Sequence, residues 1–245
     1  MSQETVGIFV DWQNLYNDIR TALKKSEPSP TFDSNNTVQL SYLFHSFLLP
    51  EEKLFRIYLY TALPLSSEEV ERYINMTPRF NSQRELFKKY WETPTEGARS
   101  PKERQDVTHR EAGKFQERLM RSDCYALRLG QQRCQNLEAN GRPNLVQKQV
   151  DMLVGIDISH ASFYRQVDKV MVFSKDTDIA PALKVARMHG LLTIVATVDS
   201  VNSPDIRLQK HSDYRRSLDL SKIAAEGADH EWDILKIDRK RNDFR

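Results

Sequence analysis

Short apolar runs rich in β-branched residues alternate along this chain with segments of helical periodicity, and this alternation restricts the fold more than any other feature. The first run, residues 6–10, is followed by Leu15, Ile19 and Leu23 at helical spacing. Apolar runs of this kind predict strands buried on both faces, and their alternation with helices predicts an α/β fold with a mostly parallel sheet of about five strands. The predicted strands are residues 6–10, 55–60, 126–129, 167–173 and 192–198.

Helices are predicted between these strands. Ser66 and Glu69 form the sequence pattern of a capping box that opens one helix, Pro78 ends that helix, and Pro181 fits the first turn of another. The remaining predicted helices cover residues 38–49, 86–91, 108–119 and 147–160. We therefore expect one domain over residues 1–225 with a helical insertion at about 64–122, and a charged tail over residues 226–245 that is a surface helix or partly disordered.

Composition places the chain among globular proteins. It has 245 residues with 39% hydrophobic and 29% charged residues, and its formal net charge is only +2, so any surface for a polyanion must be local. No apolar stretch approaches the roughly 18 residues that span a bilayer, and the amino terminus has no signal-peptide pattern. Two cysteines are too few for a disulfide framework, so we expect a cytoplasmic protein with no membrane partner.

Acidic residues follow the predicted strands at several places. Asp11 follows the first strand, Asp176 and Asp178 follow the fourth, and Asp151 lies near the start of the helix 147–160. Each one alone could be a helix cap. Because the carboxyl ends of parallel strands share one edge of the sheet, however, these side chains are expected to converge, where repulsion raises their pKa values unless a cation lies between them. Oxygen ligands without a His or Cys cluster favour Mg²⁺ or Mn²⁺.

The sequence lacks the motifs that mark several other classes of active site. There is no Walker phosphate loop, no G-x-G-x-x-G, no H-E-x-x-H and no G-x-S-x-G. A haloacid-dehalogenase-type phosphatase requires D-x-D after the first strand, where this chain has Asp11-Trp12-Gln13. A Toprim-type site would place Glu at Asp11, and a receiver domain would place its phosphoacceptor Asp where this chain has Gly130.

Four blocks of the sequence resemble NYN domains, the LabA-like branch of the PIN-like nuclease superfamily. Residues 8–16 (IFVDWQNLY) are similar to the opening motif of that family, and residues 148–157 (KQVDMLVGID) to its "K-G-V-D" helix. Residues 172–181 (VFSKDTDIAP) are similar to its "S-G-D-S-D-F-x-P" turn, and residues 211–213 to its "H-A-D" element. The blocks occur in the family's order over residues 6–220, so the resemblance implies a PIN-like, Rossmann-like three-layer fold.

The resemblance also implies a site and an activity. The carried-over catalytic and metal-binding residues are Asp11, Asp151, Asp176 and Asp178, with Asn14 and Ser174 as further catalytic, polar supporting residues. The implied activity is that of a metal-dependent ribonuclease using Mg²⁺ or Mn²⁺, which leaves 5′-phosphate and 3′-hydroxyl ends. The alternative is a catalytically degenerate PIN-like module that binds RNA or acts as a protein scaffold.

The chain departs from the family's pattern at three positions. Gln149 replaces the glycine at the helix start, Lys175 replaces the turn glycine, and Ile179 replaces the phenylalanine. Lys175 is expected to alter the turn or to form an ion pair with a ligand acid and so weaken metal binding.

Two polar residues near the acids leave their roles open. Asn14 either hydrogen-bonds a metal-bound water or a phosphate, or only fixes the strand-to-helix turn. Asp157 lies six residues after Asp151 and thus about 120° around the helix. We expect it to make supporting hydrogen bonds, while direct metal ligation stays open.

The expected partners are RNA, single-stranded or structured, and a second copy of the chain in a homodimer. Between Arg79 and Arg121 the chain has 11 Lys/Arg and 7 Asp/Glu. We expect this basic segment to contact phosphates, whereas Phe87, Tyr90 and Trp91 fit the buried stripe of an amphipathic helix better than a base-stacking surface. The basic residues in question are Arg84, Lys88, Lys89, Arg99, Lys102 and Arg104.

Overall fold

The computed structural model of this chain describes residues 3–25, 32–94, 98–198 and 205–220, together with the backbone of 235–239. The chain forms two compact units, one made of Met1–Tyr60, Ser122–Arg128 and Asp151–Arg245, the other of Thr61–Arg121 and Leu129–Val150. Among the described helices, none combines the length and the apolar character needed to cross a bilayer.

Eight strands, eight α-helices and two 3₁₀ helices, Pro78–Gln83 and Thr177–Ile179, make up the described secondary structure. The strands are β1 Glu4–Asp11, β2 Glu52–Ala62, β3 Tyr125–Leu137, β4 Pro143–Lys148, β5 Lys169–Phe173, β6 Leu192–Val198, β7 Tyr214–Leu218 and β8 Leu235–Arg239. The helices are α1 Trp12–Lys25, α2 Thr37–His45, α3 Ser67–Met76, α4 Arg84–Glu92, α5 Pro101–Met120, α6 Val150–Phe163, α7 Ala180–Met188 and α8 Ile206–Lys210.

The first unit contains a mostly parallel sheet in the order β2-β1-β5-β6-β7-β8. The β1–β2, β1–β5, β5–β6 and β6–β7 pairs are parallel, and β8 runs antiparallel to β7. The start of β3 extends this sheet beside β2, where the Ile57 N–H donates to the Cys124 carbonyl at 2.8 Å. The α/β class is confirmed, but the prediction of about five strands is wrong, because the sheet has at least seven.

The core of this unit lies against its central strands. Every side chain of β5 is buried, as are those of β1 from Val6 onward. Phe9 stacks on Tyr58 with ring centroids 4.8 Å apart, and the edges of Phe44 and Phe47 pack against Phe173. The apolar runs in the sequence therefore correspond to strands covered on both faces.

A buried ionic cluster also lies in the first unit. Glu52 accepts hydrogen bonds at 2.6 Å from Arg216 Nη1, Arg216 Nη2 and Lys169 Nζ, and at 2.9 Å from the Leu49 N–H. Lys169 also pairs with Glu4 at 2.6 Å. The four charges sum to zero; Glu52, Lys169 and Arg216 are buried, and Glu4 is about half exposed.

The second unit contains α3, α4 and α5 with the remainder of β3 and with β4, which pairs antiparallel with β3. Its core joins Val70, Ile74, Phe80, Phe87, Trp91, Cys134 and Leu137. The predicted capping box of Ser66 and Glu69 is confirmed, and Ser100 and Glu103 form a second one at the start of α5. Phe87 and Trp91 are buried, as the amphipathic pattern predicted.

Several predicted boundaries were wrong. The predicted strand 126–129 extends through Gly130 to Leu137, and β4 occupies residues that were assigned to a loop and a helix. The helix predicted at residues 147–160 begins only at Val150, because β4 runs to Lys148 and Gln149 has a left-handed backbone with φ 74°. Glycine, the residue of the resembled motif at this place, adopts that conformation without strain.

The carboxyl-terminal prediction is also corrected in part. Residues 235–239 form β8 rather than a helix, whereas residues 226–234 and 240–245 of the expected charged tail lie outside the described part of the chain.

Candidate active site

Adjacent parallel strands bring the predicted acids to one edge of the first unit's sheet. Asp11 is the last residue of β1, and β5 runs parallel beside β1 with Val10 opposite Phe173. The turn after β5 that contains Asp176 and Asp178 therefore begins next to Asp11. Asp151 is the second residue of α6.

Asp11 is held by the first turn of α1. Its side chain accepts the Asn14 N–H at 3.2 Å and the Asn14 side-chain amide, and the residue is only 5% exposed. Burial raises the pKa of Asp11 above its usual value, and the charge of Asp176 adds to this, while the hydrogen bonds from Asn14 and from the Gln13 backbone oppose it. Of the two roles left open for Asn14, its contacts favour fixing the strand-to-helix turn and Asp11 with it.

The turn after β5 is built by successive hydrogen bonds. The Asp176 N–H donates to Ser174 Oγ at 3.0 Å, and the Asp178 N–H donates to Asp176 Oδ1 at 2.9 Å. Asp176 thereby caps a short 3₁₀ turn, Thr177–Ile179, that leads into α7. Ser174 is buried and acts as a support of the turn.

The negative charges of the other three carboxylates affect the pKa of Asp151. Its pKa is raised first by burial, and then by the charges of Asp176, Asp11 and Asp178. The four predicted acids thus lie within electrostatic reach of one another. None of them forms an ion pair with a basic side chain of residues 3–25, 32–94, 98–198 or 205–220.

Whether this cluster fits a metal ion depends on the chemistry of its donor atoms and on their placement. The donors are carboxylate oxygens, which match Mg²⁺ or Mn²⁺. As the side chains stand, no three His, Cys, Asp or Glu groups among the described residues are placed to hold one ion. Binding of one ion by three of these carboxylates would therefore require them to move closer together.

Lys175 does not pair with any of the four acids. Its ammonium group donates to Asp18, which follows Asn14 by one turn of α1. The expectation that Lys175 would bind a ligand acid is therefore not met in this structure, because Asp18 provides a different partner. Sequence reasoning did not single out Asp18.

Asp157 lies apart from the acid cluster. Its Oδ2 accepts hydrogen bonds at 2.9 Å from Tyr60 Oη and from Arg128 Nε, and the Arg128 guanidinium lies over the Tyr58 ring. Burial and the neighbouring Asp157 charge raise the pKa of Tyr60, so its hydroxyl stays a donor. Asp157 therefore makes hydrogen bonds, as expected, and its partners are Tyr60 and Arg128.

One cation near the acids was missed. Arg207, in α8, pairs with Asp205 at 3.2 Å. The hydrogen bond to Asp205 raises the pKa of Arg207, and the charges of Asp178 and Asp176 contribute more weakly to the same shift. No strand end or motif marks Arg207 in the sequence, and this contribution indicates that it lies near the acids.

Three of the six basic residues predicted to contact phosphates make contacts within the second unit. Lys102 pairs with Glu71 at 2.7 Å, Arg84 donates to the Asn75 carbonyl, and Arg104 donates to the Arg99 carbonyl at 2.7 Å. Lys88, Lys89 and Arg99 are exposed.

The chain matches no protein-family model and no curated protein. The likeness to NYN domains therefore rests on the four sequence blocks alone.

Proposed function

We propose that this chain is a metal-dependent ribonuclease of the NYN, PIN-like type that hydrolyses RNA phosphodiester bonds at the acid cluster. The observation that carries the proposal is the convergence of Asp11, Asp151, Asp176 and Asp178, none of which forms an ion pair with a described residue. Helix capping explains one acid at a time, but it gives no reason for four carboxylates to repel one another at one edge.

The residues have distinct roles in this proposal. Asp11, Asp151 and Asp176 would hold Mg²⁺ or Mn²⁺, with Asp178 assisting directly or through water. A bound ion of this kind lowers the pKa of its water and neutralises charge on the leaving oxygen. Asn14 orients Asp11, and Ser174 holds the turn that presents Asp176.

Substrate binding would draw on basic side chains. The acid cluster repels phosphate in the absence of an ion, so electrostatic attraction must come from elsewhere on the protein. In the second unit, Lys88, Lys89 and Arg99 are exposed and remain the predicted contacts for RNA phosphates. The preference for RNA over DNA rests on the resemblance to NYN domains.

A cleavage assay tests the proposal. Labelled RNA and DNA are incubated with the protein in Mn²⁺, Mg²⁺ or EDTA, beside Asp11→Asn and Asp176→Asn. Because even outer-sphere partners of a metal contribute about 10–100-fold, loss of a ligand is expected to slow cleavage by more than about 100-fold. Asp123→Asn, an exposed aspartate in a turn outside the cluster, is the matched control and should cleave normally.

The alternative function is a PIN-like module that binds RNA, or holds proteins together, without cutting RNA. The absence of a preformed three-carboxylate group among the described residues favours this alternative. RNA binding that persists in EDTA, with no cleavage in Mn²⁺ or Mg²⁺, would select it over the nuclease.

A further inference from the structure

A second basic feature lies in the first unit, in a cleft of about 570 Å³. The cleft is bordered by the end of α7, the start of β6 and the end of α8. Its lining includes Lys184, Arg187, Met188, Lys210 and Asp213. The acids follow the carboxyl end of β5, whereas this cleft adjoins the amino end of β6, so the two features lie at opposite ends of parallel strands.

The charge of the cleft is positive. Lys184, Arg187 and Lys210 contribute three cations, and Asp213 is the one carboxylate in its lining. Both lysines are exposed, and neither makes an ion pair with a described residue. Two ammonium groups are therefore available to an anion.

Arg187 is fixed in place by a network. Its Nε donates to Asp213 Oδ1 at 3.0 Å, and its Nη1 donates to the Lys210 carbonyl at 3.2 Å. Asp213 Oδ2 accepts the Thr193 N–H and hydroxyl, each at 2.8 Å. The guanidinium is thus pre-oriented, which reduces the entropy lost when a ligand binds.

The cleft also has an apolar wall. Met188 is 75% exposed, and Leu191 and Leu192 complete the lining on that side. A thioether makes favourable contacts with aromatic rings. A small hydrated anion would use neither this wall nor a volume of this size, because pockets of about 300–1,000 Å³ typically hold organic ligands.

We propose that this cleft binds a nucleoside phosphate, with the phosphate at Lys184 and Lys210 and the base against Met188. The ligand is either a free mononucleotide or one nucleotide of an RNA strand. This inference goes beyond the nuclease activity and does not depend on it, since the cleft contains none of the four acids.

Binding is measured in EDTA, so that the acid cluster carries no metal. The probes are adenosine 5′-monophosphate by calorimetry and a fluorescein-labelled uridine hexanucleotide by anisotropy. The test variant is Lys184→Ala/Lys210→Ala. The control, Lys24→Ala/Lys53→Ala, removes the same charge from exposed positions outside the cleft.

We expect the Lys184→Ala/Lys210→Ala variant to bind at least about 10-fold more weakly than wild type, because two charge-assisted contacts are lost. The control should bind within about twofold of wild type, since distant surface charges are screened. Met188→Ala should weaken binding of adenosine 5′-monophosphate while leaving inorganic phosphate binding unchanged. Saturable binding of the mononucleotide identifies a free nucleotide as the ligand, and binding of the hexanucleotide alone identifies a nucleotide within RNA.

Three results would overturn the proposal. The first is that neither probe binds at millimolar concentration. The second is equal affinity of the cleft variant and the charge-matched control, which would place binding elsewhere. The third is equally tight binding of a poly-glutamate peptide, which would identify a general acidic-peptide surface. Because no metal is present, a failure here leaves the cleavage assay unaffected, and loss of cleavage leaves this result unaffected.

Discussion

Replacing Glu52 with glutamine is expected to destabilise the protein by about 3 kcal/mol. Removing one partner of a buried ion pair costs about 3–5 kcal/mol, because the remaining charge stays buried without compensation. Arg216 is only 2% exposed, and its Nε already has no hydrogen-bond partner among the described residues. Lys169 retains Glu4, which is 47% exposed, so its loss is smaller. These opposing features place the cost near the lower end of the range.

Urea unfolding followed by circular dichroism measures this cost. Hydrogen exchange of the β1 and β5 amide groups assigns it to the first unit, which matters because two units need not unfold as one. Glu51→Gln is the matched control, since Glu51 is the exposed neighbour of Glu52 and should change stability by less than about 0.5 kcal/mol. A loss below about 1 kcal/mol for Glu52→Gln would refute the argument that Arg216 depends on this carboxylate.

The same cluster predicts a pH dependence. Burial opposes ionisation of Glu52, but the hydrogen bonds from Arg216, Lys169 and Leu49 outweigh it and hold the pKa of Glu52 below its ordinary value of 4.5. Its stabilising contribution is therefore present above pH 4.5 and is lost as the pH falls through the folded-state pKa. The stability difference between wild type and Glu52→Gln should shrink in that acid range, and a difference that stays constant down to about pH 2 would contradict this.

Three glycine-related substitutions give further tests. Gln149→Gly should raise the free energy of unfolding by about 1 kcal/mol, because a left-handed residue other than glycine costs about 1–2 kcal/mol; unchanged or lower stability in urea would contradict it. Gly130→Ala should destabilise the protein by about 1–3 kcal/mol, since its new Cβ would lie 2.6 Å from the Lys148 carbonyl oxygen. An unshifted urea midpoint would show that β3 and β4 can move apart to accommodate the methyl group. Lys175→Gly removes the positive charge that precedes Asp176 in the sequence and leaves Asp18 without this partner, so Mn²⁺ binding measured by calorimetry should strengthen severalfold, and unchanged or weaker binding would count against the metal site.

The buried strands were readable from the sequence because both of their faces are apolar. The central strands β1, β5 and β6 appear as continuous runs of Val, Ile, Phe and Met with few polar interruptions. β4 and β7 were missed because their side chains are mixed. In β7, Arg216 interrupts the pattern of YRRSL, and it is buried only because Glu52 lies 164 residues earlier in the chain. An ion pair between residues so far apart in the chain produces no recognisable pattern in the sequence around either residue.

The acid cluster was predictable for a similar reason. Asp11 ends β1 and Asp176 lies in the turn after β5, and ligands of α/β proteins generally bind at the edge where parallel strands end. Their neighbours were not predictable. The Lys175–Asp18 pair spans 157 residues, and the Tyr60–Asp157 hydrogen bond spans 97. Side-chain partners at such separations depend on packing that the sequence pattern does not express.

The acidic residues at the two ends of β1 differ in whether basic side chains pair with them, and this difference bears on function. At its start, β1 contributes Glu4 to a cluster in which Lys169 and Arg216 balance every carboxylate. At its end, β1 contributes Asp11 to four carboxylates that have no ion-pair partner within the described ranges. The fold therefore can supply basic partners to buried acids, and even Lys175, which lies beside Asp176 in the sequence, is directed to Asp18 instead. Burial, together with repulsion between the unpaired carboxylates, raises the pKa values of Asp11 and Asp151 and disfavours their charged state, so this end of β1 is where the proposed function places its cation.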